Sequence, residues 1–178
     1  MIAQAKNVGS MFELDHSIGY LLNRVAGQMR VDLDQELAPF GVTAPQWAVM
    51  MRCFHRDDMT PIGLARTIGV DGAAITRLLD RMEAKGLLAR RSHTTDRRSL
   101  VIELTSRGRT LAPQLPPLAK RVLERALAGF SAAERKELEL LLQRMLANGE
   151  SASQRDRTRS KETARTSVRK TTRRGSRP

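Results

Sequence analysis

Between Thr60 and Leu104 the chain sets two helical periodicities and one strand periodicity in an order that few folds accept. Pro61-Ile62-Gly63-Leu64-Ala65-Arg66-Thr67-Ile68 reads as a short helix, with Thr60 as its cap and Pro61 at its first position. Gly69-Val70-Asp71 reads as a turn, and Asp71 is placed to cap a second helix. In that second helix Ile75, Leu78, Leu79 and Met82 recur at i, i+3, i+4 and i+7, a single apolar stripe. At about 100° per residue the opposite side carries Ala73, Thr76, Arg77 and Arg81. A helix buried along one side and joined by a tight turn to a shorter helix is a helix-turn-helix.

The outward side of that second helix is basic. Arg77, Arg81 and Lys85 recur every fourth residue, so like charges stack on one ridge at a cost of about a few tenths of a kcal/mol per pair. Phosphates would turn that cost into attraction. Ala73 and Ala74 leave room for base edges, and Arg77 is long enough to hydrogen-bond guanine. The same pattern also fits a solvated face whose arginines pair with Asp80 and Glu83. A hairpin directly after the helix tips the balance. Leu87-Leu88-Ala89-Arg90-Arg91 leads into a loop, and Leu100-Val101-Ile102-Glu103-Leu104 returns, with Leu100, Ile102 and Leu104 expected on one face. Between them, Ser92 to Ser99 is polar and basic with no apolar anchor. Asp96 can pair with Arg98 and stiffen the tip, leaving Arg97, or Arg98 itself, for a minor groove. A recognition helix joined at once to such a hairpin is a winged helix-turn-helix.

From Val70 to Gly86, and then through Asp96-Arg97-Arg98-Ser99-Leu100-Val101-Ile102-Glu103-Leu104-Thr105, the chain resembles the MarR (multiple-antibiotic-resistance regulator) family of transcription factors. The family's wing signature is Asp-x-Arg, then Leu-x-Leu-Thr and soon a Gly; here Ile102, Leu104, Thr105 and Gly108 supply the later positions, with Ile in place of the first Leu. The likeness spans about Asp15 to Ala147. It implies a mainly α fold with a small β-hairpin wing, in which a winged helix-turn-helix DNA-binding lobe joins a helical dimerisation lobe. It further implies a homodimer on a palindromic operator in double-stranded DNA. Release by a small ligand, often an aromatic acid, or by cysteine oxidation is implied as well.

Residues 1–14 lack periodicity and form an expected loose arm; 15–149 form the regulator-like domain, with dimer helices at 15–40 and 106–148 and a DNA-binding lobe at 43–105. Asp15 is placed to cap a long helix whose apolar stripe is Ile18, Leu21, Leu22, Val25, Met29, Leu33 and Leu37, ended by Gly41. Such a helix fits intrachain burial or, on the family likeness, dimerisation; Ile18, Leu21, Leu138, Leu142 and Met145 are the candidate dimer residues. Thr43-Ala44-Pro45-Gln46 is a capping box opening a helix with Trp47, Met50, Met51 and Phe54 on its bulky face. Those side chains read first as core. In the resembling family a ligand crevice lies nearby, so His16, Phe40, Trp47 and Met51 are candidates to line it. Cys53 sits in the same helix and reads as an inert buried thiol, since the family's peroxide sensors carry a cysteine near the start of the first helix, where this chain has none. His55-Arg56-Asp57-Asp58 lacks a second His or Cys at ligand spacing, so no metal site and no cofactor are expected. Thr105 can cap a helix that Pro113 and Pro116-Pro117 are expected to kink or break. Ser131-Ala132-Ala133-Glu134 is a capping box for a last helix carrying Leu138, Leu141, Leu142, Met145 and Leu146.

Charge separates the ends from the middle. The 178 residues hold 31 Lys/Arg against 19 Asp/Glu, a net charge of +12; residues 150–178 alone hold ten Lys/Arg against three Asp/Glu. With almost nothing apolar, 150–178 is expected to be a disordered basic tail, adding salt-sensitive affinity for a polyanion or serving only solubility. Nucleic acid is the expected partner rather than membrane, because no basic amphipathic helix accompanies the tail. A single cysteine, no signal pattern and no long apolar run fit a reducing cytoplasm and association with the nucleoid. Paired carboxylates in an apolar setting, a nucleophile elbow and a phosphate loop are all missing, so an enzyme is not expected. The alternative class is a sequence-independent architectural protein that coats DNA through wing and tail charge.

Overall fold

The computed structural model describes residues 17–56, 59–92 and 100–149. Helix α1 (Ile18–Leu37) is capped by Ser17, whose hydroxyl accepts from Tyr20 N at 3.2 Å. Asp15, read as the cap from the sequence, lies outside the described residues. A 3-10 turn (Ala38–Phe40) closes α1 on Gly41, which at φ +65° takes the left-handed conformation that glycine adopts at least cost. Helix α2 (Ala44–His55) opens on the expected capping box, with Gln46 Oε1 accepting from Thr43 N at 3.2 Å. Asp34 of α1 adds what the sequence did not disclose: its carboxylate accepts from Ala44 N at 2.6 Å, so one helix caps the start of the next.

Helices α3 (Pro61–Ile68) and α4 (Gly72–Ala84) form where the sequence places them. Thr60 Oγ1 accepts from Gly63 N at 3.1 Å, Gly69 turns the chain at φ +78°, and Asp71 Oδ1 accepts from Ala74 N at 2.7 Å. Strands β1 (Leu88–Ser92) and β2 (Leu100–Leu104) pair antiparallel, Leu88 opposite Leu104 and Ser92 opposite Leu100. The strand face departs from expectation at one end. Ile102 and Leu104 are buried as the alternation requires, but Leu100 is 45% exposed and its neighbour Val101 is buried. Leu100 stands opposite Ser92 at the end of the ladder next to the connecting loop, outside the core cluster that takes in Ile102 and Leu104. On the far edge of β2, Ile102 N donates to Met59 O at 2.8 Å, tying the wing to the entry of α3.

The stretch 106–148 is not one helix. After α5 (Ser106–Leu111) the prolines impose a 3-10 turn (Ala112–Gln114), and α6 (Pro116–Ala126) restarts on Pro116. Among the described residues the chain divides after Ala126 into two units. In the first, one core runs from Leu37 and Val49 through Leu64, Ile75, Leu79 and Met82 to Leu88, Ile102 and Leu115. Glu36 fastens α6 to α1 by accepting from Arg121 and Arg125, each at 2.8 Å. The Arg121 hydrogen bond, then that of Arg125, holds the Glu36 carboxyl below its usual pKa. The first three turns of α1 leave an apolar face open: Ile18, Leu21 and Val25 are 67%, 49% and 54% exposed. In the second unit Gly129 (φ +85°) turns the chain into helix α7 (132–149). Its capping box forms, with Ser131 N and Oγ donating to Glu134 Oε2 at 2.8 and 2.7 Å. Along α7, Leu138 and Leu142 are half-buried, whereas Leu140, Leu141, Met145 and Leu146 are exposed.

Candidate nucleic-acid interface

Helix α4 buries Ile75, Leu78, Leu79 and Met82, and this fixes what its other side can present. Ala73, Thr76, Arg77 and Arg81 are exposed there, and Ala74 is half-buried. Thr76 spends its single donor on Gly72 O at 2.8 Å, leaving its methyl group and its lone pairs to the outside. Among the described residues neither Arg77 nor Arg81 makes an ion pair.

The solvated-face alternative, in which those arginines neutralise Asp80 and Glu83, is not what forms. Both carboxylates are taken by Arg90, which reaches over from β1: Nη2 lies 2.5 Å from Asp80 Oδ1, and Nη1 donates to Glu83 Oε2. The Asp80 hydrogen bond is the larger cause of a guanidinium pKa raised above its ordinary value. On the wing itself Arg91 approaches Glu103 across the strands at 3.5 Å.

Lys85 is a correction. The sequence placed it on the ridge as a phosphate contact beside Arg81, but its ammonium donates to Gly41 O at 2.8 Å and to Gln46 Oε1 at 3.1 Å. Gln46 is buried, and its Oε1 together with Gly41 O offers two acceptors to a cation that sits at the C-terminal end of α4. Arg107 of α5 then donates to Lys85 O at 3.1 Å, so Lys85 joins α4 to both neighbours instead of extending the ridge. The wing tip Asp96, Arg97 and Arg98 lies outside the described residues.

The candidates for a ligand crevice fall in two places. Trp47 and Met51 of α2 are half-buried and pack against the core, as does Phe40. Phe40 also borders an open groove of about 440 Å³ lined by Ser106, Arg107, Thr110, Leu111 and Gln114. Trp47 Nε1 is buried without a hydrogen-bond partner. His16 lies outside the described residues. Cys53 is 2% exposed, and burial pushes its thiol up to about 12, so the nucleophilic thiolate is scarce at neutral pH. Among the described residues no group of His, Cys, Asp and Glu could hold a metal ion, and no helix is long and apolar enough to cross a membrane.

The family model of the MarR family matches residues 42–100. The chain is 30% identical over 131 residues to the HTH-type transcriptional repressor Rv2887 of Mycobacterium tuberculosis, covering 74% of this chain and 94% of that protein. Its fold matches that of a cysteine-to-serine mutant of Escherichia coli MarR complexed with operator DNA, with TM-score 0.70, 28% identity and coverage of 76% and 98%. It matches the complex of Rv2887 with salicylic acid at TM-score 0.60 and 30% identity, covering 74% and 97%. These relatives are regulators of transcription, not enzymes.

Proposed function

This chain belongs to the MarR family of transcriptional regulators, and from that premise we propose that it is a homodimeric repressor reading a palindromic operator. The observation that carries the reading is the outward side of α4, where Arg77 and Arg81 stand exposed beside Ala73 and Thr76, without an ion pair among the described residues. On this reading Ala73, Ala74, Thr76 and Arg77 enter the major groove, with Arg77 on guanine and Arg81 on phosphate. Asp96 orients the wing tip, and Arg97 or Arg98 enters the neighbouring minor groove. The Escherichia coli relative in complex with operator DNA supports the same use of the fold.

Dimerisation is supported by the apolar faces left open on α1, at Ile18, Leu21 and Val25, and on α7, at Leu141, Met145 and Leu146. Leu138 and Leu142 complete the α7 stripe. Salicylic acid bound to the mycobacterial relative supports a small aromatic acid as effector, with His16, Phe40, Trp47 and Met51 as the residues to line its site. Residues 150–178 add affinity that does not depend on sequence.

Selection of bound duplexes from a random-sequence library tests the reading. The expected result is enrichment of an inverted repeat over several rounds. If no sequence is enriched, the chain coats DNA without preference and the reading is wrong.

A further inference from the structure

We propose that Arg90 keeps the basic face of α4 available by occupying the two carboxylates that would otherwise close it. The inference rests on that face meeting duplex DNA. Asp80 follows Arg77 by three residues, the spacing at which helix side chains meet, and directly precedes Arg81. An unoccupied Asp80 therefore has Arg77 as its nearest cation along the helix. Glu83 follows Asp80 by three residues in turn, so the two acids repel each other and would repel a phosphate brought to the same face.

Neither outcome is what forms. Asp80 and Glu83 both converge on Arg90, which stands opposite Ile102 in the β1–β2 ladder. The cation that neutralises them comes from the wing and not from the helix. Its side chain is 24% exposed, against 56% and 42% for its two partners, so the shared cation is the inner member of the triad. A planar guanidinium serves two carboxylates at once, as a lysine ammonium does less well. Surface ion pairs of this kind add little to stability, so the consequence falls on binding and not on folding. Arg90 reads no base here. It is a positioning residue that acts through Arg77 and Arg81.

The test compares four forms of the full chain: wild type, Arg90→Gln, Arg90→Gln/Asp80→Asn/Glu83→Gln, and Asp80→Asn/Glu83→Gln. The probes are the duplex enriched by the wild type and an unselected random-sequence duplex, each titrated across salt concentrations. Arg90→Gln is expected to bind both about tenfold more weakly, with a salt slope shallower by roughly one phosphate contact and an almost unchanged Tm. The triple variant is expected to return to within about threefold of wild type, and Asp80→Asn/Glu83→Gln to bind at least as tightly as wild type. A clamp that merely holds β1 to α4 gives the opposite pattern: the double and triple variants stay as weak as Arg90→Gln, which overturns the proposal. Wild-type affinity in Arg90→Gln overturns it too. Neutralising Glu137 and Glu139 of α7 in the Arg90→Gln background controls for total charge; equal recovery there also overturns it. Should Arg90→Gln fail to fold, the double variant, which keeps Arg90, decides alone. Failure of the wild type to enrich any sequence would defeat the reading of function, while the ranking of variants on the random duplex would still decide the role of Arg90.

Discussion

Arg77→Ala is expected to weaken binding to the selected operator by about 5- to 150-fold, the equivalent of roughly 1–3 kcal/mol for one bidentate contact to a base. Binding to a random duplex is expected to fall far less. The difference comes from where Arg77 stands. It is exposed on the second turn of α4, its neighbours Ala73 and Thr76 are short, and among the described residues no carboxylate pairs with its guanidinium. A side chain that long, between two that short, reaches deepest into whatever α4 lies against. Arg81 is one turn further from the helix start, so Arg81→Ala is expected to lower affinity on all duplexes alike and to reduce the salt slope by about one. Paired titrations on operator and random duplex read both effects. Equal losses on the two duplexes for Arg77→Ala would place that arginine on phosphate and remove the assigned base contact. Because Arg77 makes no ion pair among the described residues, the Tm of Arg77→Ala is expected to move little.

The second large effect concerns the joint between the wing and α5. A Cβ at Gly108 would stand 2.1 Å from Leu87 O and 3.2 Å from Leu87 C, with Leu104 Cβ at 3.3 Å. The first two obstacles are backbone, so no rotamer change relieves them. Leu87 O also accepts from Thr105 N at 3.2 Å, and Gly108 N itself donates to the Thr105 cap at 3.1 Å. Pushing α5 away from Leu87 therefore loosens the bond from Thr105 N to Leu87 O. Gly108→Ala is expected to cost about 2–4 kcal/mol, from overpacking plus one weakened hydrogen bond. For a chain of this length that lowers Tm by roughly 2–4 °C per kcal/mol. Gly72→Ala is the contrast: nothing lies within 4 Å of a Cβ there and no positive φ is needed. It is expected to leave Tm unchanged or slightly raised. Thermal melts of the two variants beside wild type decide the matter, and equal melting temperatures for both would show that the α5–β1 approach yields easily.

The local rules carried far along this chain because its element boundaries are written in side chains that act within three or four residues. Thr60, Asp71, Thr105 and the Ser131–Glu134 box each cap the helix that sequence spacing assigns to them. Pro113 and Pro116 break the helix that begins at Ser106 for the reason proline breaks any helix. The stripe of Ile75, Leu78, Leu79 and Met82 is the buried side of α4, so its opposite side was legible as well.

What spacing could not show depends on elements meeting through space. Asp80 and Glu83 have arginines closer along the helix than Arg90, and only the lie of β1 against α4 gives Arg90 the advantage. Lys85 keeps the four-residue rhythm of Arg77 and Arg81, yet Gly41 O lies 44 residues earlier and claims it. Glu36 finds its two arginines 85 and 89 residues away. Leu100 obeys strand alternation, but alternation does not say where the core ends, and it ends before Leu100. Gly108 was visible only as part of a family motif; its packing reason needed the position of Leu87 O.

The proposed function turns on two copies of the α4 face meeting one duplex. Native mass measurement of the full chain on the selected operator, paired with a hydroxyl-radical footprint of the same complex, tests it most directly. The expected result is two chains per duplex, with two protected half-sites on one face, centred about 10 base pairs apart. A single chain per duplex, or protection spread evenly along the DNA with no repeat, would contradict it.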